Sequence, residues 1–329
     1  MLNDTTFISV NSLTKTYGLR KFRALDDVNL QINKGEIFGL IGPNGAGKTT
    51  LMGCLLGLLK PSAGTIFIDG KSVNDLSIKA ITGFLPERPQ FDAWMIVENF
   101  LHYHHMLAKQ PESTAQADVA QALNDVGLEE EVGRKVVRTL SRGMLQRLGL
   151  AQLLVGKPIL CFLDEPTSGM DPLGMSLVRD LLVQWKQQGK TVIINSHHLD
   201  QVEKVCDRVA FISKGKIGSV EELRPTAQSK QGFLIHWGQP YPASDLIKKI
   251  AREDAIECES SAQDQARFLL SDRSQSTKIL QALISAGIQV EEAIYEHKDL
   301  VQLFKKEALA KGDIDTKTKS ENAEGRVNE

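Results

Sequence analysis

The eight residues Gly42 to Thr49 read GPNGAGKT, a G-x-x-x-x-G-K-[ST] string. It follows a short apolar run, EIFGLIG (36–42), and leads into TTLMGCLLGLL, which has strong helix formers and no proline. Nothing else in the chain constrains its fold as much, because such a loop works only where a buried strand feeds directly into a helix. The glycines let the backbone curl so that successive N–H groups point inward at phosphate oxygens, and the helix N-terminus adds positive potential. Lys48 is expected to reach the β and γ phosphates of a nucleoside triphosphate and Thr49 to hold Mg²⁺ through its hydroxyl. The expected contact set is Gly42, Pro43, Asn44, Gly45, Ala46, Gly47, Lys48, Thr49 and Thr50.

A second apolar strand, LCFLDE (160–165), ends in two acids. Asp164 is placed to coordinate Mg²⁺ through water, and Glu165 to orient and polarise an attacking water. Around these two segments the texture alternates. VNLQI (28–32) and TIFIDG (65–70) read as strands, as does TVIINSH (191–197), and a helix carrying Val178, Leu181, Leu182 and Trp185 on one face precedes the last of them. Strands alternating with helices imply an α/β fold with a mainly parallel sheet. Between about Phe91 and Val155 only helical periodicity is visible, an inserted helical subdomain. VAFISKGKIGSV (209–220) reads as a hairpin turning at Lys214 and Gly215. Beyond a polar linker (223–232), residues 233–310 follow the order βαββαβ, the ferredoxin-like α+β pattern, and then a helix from about Lys298 to Leu309. Residues 311–329 are mostly charged and polar and are expected to be disordered.

At 329 residues, two domains are expected: 1–222 and the smaller 233–310. Hydrophobic residues at 42% and charged residues at 24% argue against a chain that is disordered throughout. Lys plus Arg total 39 against 41 Asp plus Glu, a net charge of −2, so nothing draws the whole chain to nucleic acid or anionic lipid. No apolar stretch approaches the roughly 20 residues needed to span a bilayer, and MLNDTTFISV lacks a leader pattern, so a cytosolic location is expected. Cys54, Cys161, Cys206 and Cys258 show no C-x-x-C spacing and sit in apolar segments, as core cysteines do.

With the loop and the acidic strand end located, four further segments make residues 7–222 resemble an ATP-binding cassette (ABC) ATPase. LSRGMLQR (140–147) is similar to the family's signature, DEPTSGMDP (164–172) to its run from catalytic strand to D-loop, NSHHLDQVEKVCDRV (195–209) to its H-loop, and Tyr17 in SLTKTYG to its adenine-stacking aromatic. The resemblance implies a P-loop NTPase of ABC type, with an antiparallel β subdomain and a helical subdomain beside the parallel core. It assigns His197 as the switch histidine, Asp171 as the D-loop acid, and Ser141 and Gly143 as groups that meet the γ-phosphate of ATP bound on another subunit. Three positions depart from the pattern: Glu87 in GFLPERPQ replaces the Q-loop glutamine, Arg142 replaces the first signature glycine, and Met144 replaces the first signature glutamine. Arg142 either adds charge to the signature face or points outward.

By the same resemblance the cofactors are ATP and Mg²⁺, with Thr49 and Asp164 as metal ligands and Glu165 and His197 as catalytic groups. The partners are a second cassette, in a head-to-tail homodimer or with a paralogue, and an integral membrane permease that would hold the chain peripherally at the cytoplasmic face of the inner membrane. No nucleic-acid partner is expected. Glu87 and the extra C-terminal domain resemble exporter ATPases most. Phe91 to Lys109, with Trp94, Met95, Ile96 and Val97, is the expected docking region, the alternative being an ordinary core contact. His102 and His105 share a helical face, but no third ligand stands nearby except Glu98, so a solvated or partner-facing helix is expected rather than a metal site. A soluble cassette acting on ribosomes or DNA, or a regulatory cassette with little turnover, are the competing readings.

Overall fold

A computed structural model describes residues 5–18, 22–196, 199–223, 231–239, 241–253, 256–272, 274–296 and 300. The chain divides into two compact units, the second spanning Glu222–Asp299.

In the first unit, β1 (Thr6–Tyr17) and β2 (Phe22–Asn33) pair antiparallel, and β3 (Ile37–Ile41) runs into the glycine loop and α1 (Lys48–Leu55). Then come β4 (Ala63–Ile68), β5 (Lys71–Ser72), α2 (Leu76–Ala80) and β6 (Thr82–Leu85). The helical insertion holds α3 (Val97–Leu107), α4 (Ala115–Asp125), α5 (Glu130–Gly133) and α6 (Arg142–Gly156). The chain returns through β7 (Leu160–Asp164), α7 (Pro172–Gln187), β8 (Thr191–Asn195), α8 (Leu199–Val205), β9 (Arg208–Ser213) and β10 (Lys216–Glu222). Two sheets result, a four-stranded one ordered β2-β1-β4-β5 and a six-stranded one ordered β10-β9-β3-β8-β7-β6, in which β9, β3, β8, β7 and β6 are parallel.

Every residue of β3, β7 and β8 is buried, which is why these strands read as unbroken apolar runs instead of alternating. Val178, Leu181, Leu182 and Trp185 are the buried stripe of α7 together with Gly174. The loop helix is shorter than its composition implies. It stops at Leu55 because Gly57 turns left-handed (φ 69°), and the amides of Leu58 and Leu59 fold back onto the Gly53 carbonyl. The four-residue β6 was not evident from sequence. Lys214 (φ 48°) and Gly215 (φ 77°) form the two-residue turn between β9 and β10, the left-handed pair a tight hairpin requires.

The second unit contains β11 (Gln231–Trp237), α9 (Ser244–Glu253), β12 (Glu257–Ser261), β13 (Gln265–Leu270), α10 (Ser274–Ser285) and β14 (Val290–Tyr295). Its sheet order, β12-β13-β11-β14, is antiparallel throughout, the ferredoxin-like arrangement of a βαββαβ chain. Phe233, Ile235 and Trp237 alternate inward on β11 and pack with Ile247, Phe268 and Ile279 in a core of the unit's own. Gln231 and Gly232, assigned to the linker from sequence, already belong to β11. Residues 224–230, the expected terminal helix other than Leu300, and the tail 311–329 lie outside the described residues.

Candidate nucleotide site

The glycine loop sits at the C-terminal end of β3, the edge of a parallel sheet where ligands bind. Two of its glycines are required by space. A Cβ on Gly42 would lie 2.2 Å from the Ile212 carbonyl oxygen, and one on Gly47 would lie 2.6 Å from the Ala24 carbonyl oxygen at a φ of 110°. The Gly215 amide donates to the Ala46 carbonyl (2.9 Å), which pins the loop to the β9–β10 turn. Lys48 is buried and its Nζ donates to the carbonyls of Gly42 (2.6 Å) and Pro43 (3.0 Å), so the ammonium lies along the loop's inner wall. Burial holds its pKa below the ordinary lysine value, against the opposing pull of Glu165 and Asp164.

Asp164 and Glu165 close β7, two strands from β3, and both are buried. The parallel register sets Asp164 beside Asn195 of β8, whose Nδ2 donates to Asp164 Oδ1. Burial raises the Asp164 carboxyl above its ordinary range; Asn195 and Lys48 work against this, while Glu165 and Glu87 add to it. Glu165 has a left-handed backbone (φ 49°), unusual for a side chain of its size and a form of local strain that collects at functional sites. The turn is held from four sides. Its N–H donates to the Asn195 carbonyl (2.8 Å), its carbonyl accepts from the Ser168 amide (3.0 Å) and Gln146 Nε2 (3.3 Å), and its Oε2 accepts from Ser196 Oγ (3.3 Å). Asn195, the last residue of β8, and Ser196 were not among the expected site residues; they open the segment similar to the H-loop, in which only His197 was given a role.

These groups suit Mg²⁺, which takes oxygen donors, few of them from protein, and keeps several waters. Thr49 offers an exposed hydroxyl and Asp164 a carboxylate, and the Oδ1 of Asn195 is buried without a hydrogen-bond partner among the described residues. No cluster of three or more His, Cys, Asp or Glu side chains able to hold a metal occurs among the described residues.

Of the other expected site residues, Ser141 is the N-cap of α6, its Oγ accepting from the Met144 amide (3.3 Å), and Gly143 lies in the first turn against Gly169. Arg142 turns toward the loop between β7 and α7, donating from Nη2 to Ser168 Oγ (3.0 Å). Asp171 caps α7 by accepting from the Gly174 amide (2.9 Å), and Arg147 Nη2 reaches it at 3.4 Å. Tyr17 ends β1 opposite Phe22, half exposed, with Lys15 Nζ 5.1 Å from its ring centre. Glu87 is exposed near Arg88. His197 lies outside the described residues.

The histidine reading needs correction. His102 is exposed, whereas His105 is fully buried and its Nε2 meets Asp118 Oδ2 at 2.9 Å, so this part of α3 is a core contact with α4. Asp118 also accepts from Lys157 Nζ (2.8 Å) and Thr114 Oγ1 (2.7 Å). The Lys157 contact, followed by those of Thr114 and His105, lowers its pKa to about 2. In the expected docking segment Trp94 and Ile96 are exposed while Val97 is buried.

A glycine loop at the end of a central parallel strand, a buried lysine along its wall and two buried acids two strands away define a P-loop nucleotide-binding protein. The ABC transporter family profile matches residues 25–168. An ABC transporter ATP-binding protein of Nostoc is 40% identical over 230 residues, 67% of this chain and 69% of that protein. YxlF of Bacillus subtilis, also an ABC transporter ATP-binding protein, is 34% identical over 86% of this chain and 93% of its own length. Among solved structures, CbiO1 of Clostridium perfringens, part of the ABC transporter complex CbiONQ, is 30% identical with a TM-score of 0.59, covering 67% of this chain and 89% of that one. A dimeric ATP-binding cassette in a post-hydrolysis state bound to ADP and Pi is 25% identical with a TM-score of 0.61, covering 67% and 100%. The chain belongs to the ABC transporter family and is an ATP-binding subunit of such a transporter. No helix among the described residues is long and apolar enough to cross a membrane.

Proposed function

We propose that this chain hydrolyses ATP to drive a separate integral membrane permease, working as a head-to-tail pair at the cytoplasmic face of the membrane, and that the transport is export. The observation that carries the hydrolytic reading is Glu165: a buried carboxylate on a strained turn, its carbonyl and carboxylate both tied down, within electrostatic reach of Lys48 and Asp164. A regulatory cassette with little turnover would have no need to hold that strain.

In this reading the loop amides and Lys48 grip the β and γ phosphates and Tyr17 stacks on the adenine. Glu165 takes a proton from the attacking water, its carboxylate aimed by the Ser196 hydroxyl. Thr49 and Asp164 would hold Mg²⁺, which neutralises phosphate charge. Ser141 and Gly143, at the N-terminus of α6, contact the γ-phosphate bound by the partner cassette, where the helix dipole favours an anion. His197 and Glu87 complete the site and Asp171 the D-loop contact. The dimeric solved relative supports the pairing. SrtF of Streptococcus pyogenes, a lantibiotic transport ATP-binding protein 36% identical over 64% of this chain and 88% of its own length, supports export. Trp94 (75% exposed), Tyr103 (51%) and Leu107 (58%) lie on or beside α3 as uncovered apolar surface suited to a permease segment.

The test is Glu165→Gln, assayed for ATP turnover, ATP binding and oligomeric state with and without the co-purified membrane protein. Turnover should fall by about 10²- to 10⁴-fold, with ATP still bound and the pair accumulating. Unchanged turnover removes Glu165 as the base, and a monomer at saturating ATP beside the permease overturns the pairing.

A further inference from the structure

Arg142 stands in the first turn of α6, where a cation opposes the helix dipole, so its presence next to Ser141 calls for a compensating contact. That contact lies within the same chain. The guanidinium donates to Ser168 Oγ at 3.0 Å, and the side chain lies over Gly169 so closely that a Cβ there would meet Arg142 Nε at 2.7 Å. Gly169 turns left-handed (φ 74°), which leaves this space open. Ser168 in turn donates its amide to the Glu165 carbonyl (3.0 Å), and that same carbonyl accepts from Gln146 Nε2 one turn further along α6 (3.3 Å). Arg147, next along, reaches Asp171 at the far end of the loop. Arg142, Gln146 and Arg147 thus tie α6 to the segment Glu165–Asp171 at Ser168, Glu165 and Asp171.

We propose that Arg142 is a positioning residue that couples the two half-sites carried by one chain. It ties the signature turn, Ser141 and Gly143, to the loop that aims Glu165. This rests on the head-to-tail reading, in which those two groups serve different ATP molecules. Phosphate seated on the signature turn then stiffens the Glu165 loop of the same chain, and hydrolysis at the two sites becomes linked. Arg142 acts through Ser168 and not on the nucleotide itself.

The experiment is a double-mutant cycle on the full chain in its complex with the permease, reading kcat, half-saturating ATP and the Hill coefficient for ATP. Arg142→Ala and Ser168→Ala should each lower kcat about three- to tenfold, as expected for one lost hydrogen bond. The Hill coefficient should fall toward 1 while half-saturating ATP stays within about twofold. The double variant should be no worse than either single one, and Ser168→Thr, which keeps the hydroxyl, should retain activity. Multiplying effects, a wild-type kcat in Ser168→Ala, or a loss in Arg142→Ala confined to ATP affinity would overturn the coupling and make Arg142 a direct phosphate contact or a bystander. Glu165→Gln is measured alongside. Persistent turnover there removes Glu165 as the base and this proposal with it, whereas lost turnover with multiplying effects overturns this proposal alone.

Discussion

Replacing Gly47 by alanine tests whether the phosphate loop is shaped by space as well as by flexibility. At Gly47 the backbone has φ 110° and ψ 1°, beyond the left-handed well that other residues tolerate. The new Cβ would lie 2.6 Å from the Ala24 carbonyl oxygen and 3.1 Å from Leu25 Cδ2. The side-chain carbon of Leu25 can move, but Ala24 is part of β2, which is held by β1. Backbone strain of this kind costs about 1–3 kcal/mol, and accommodating an overpacked atom about 1–3 more. Gly45 is the control: its φ of 78° also favours glycine, yet a Cβ there meets nothing within 4 Å. Gly45→Ala should therefore cost only about 1–2 kcal/mol. Gly47→Ala should lose more stability than Gly45→Ala in chemical unfolding and lose ATP affinity as the loop is pushed off β2. Equal unfolding midpoints and equal ATP affinities for the two variants would refute the steric argument.

Two further outcomes concern residues away from the phosphate loop. The Asp118 carboxyl is held at about 2, below the ordinary 3.8, so the stability it contributes is complete above about pH 4 and is lost as pH falls toward 2. Asp118→Asn should reduce stability at pH 7 by about 1–3 kcal/mol and flatten the acid dependence of the unfolding midpoint; an unchanged acid limb would show that the contacts of Asp118 with Lys157, Thr114 and His105 are not what acid disrupts. Burial pushes the Cys161 thiol up to about 12, and Cys54 and Cys206 are buried as well, so a thiol reagent at pH 8 should label half-buried Cys258 first and the other three only on unfolding. Fast labelling of Cys161 in the native protein, read by peptide mass, would contradict its place in β7.

Much of the fold was legible because it is written in local periodicity. Unbroken apolar runs mark β3, β7 and β8, a 3.6-residue stripe marks α7, and the order βαββαβ marks the second unit, whose strand order then follows the ferredoxin-like arrangement. The phosphate loop and the acid pair were legible for the same reason, since each is a contiguous string whose chemistry depends on its immediate neighbours. The short β6 was not, because four residues cannot show a period.

By itself the amino-acid sequence determined that a strand feeds a glycine loop into a helix and that a second strand ends in Asp164 and Glu165. Only tertiary structure decided what surrounds those acids. Asn195 and Ser196 lie 31 residues from Asp164 and Glu165 and meet them through the parallel register of β7 and β8. His105 shares a sequence pattern with exposed His102 but turns inward to Asp118, and Arg142 folds onto Ser168 instead of outward. The physical reason is common to all of them. A periodic pattern tells which face of an element is apolar, but hydrogen bonds between elements depend on which strand lies beside which and at what register, and that is set by packing across the whole unit.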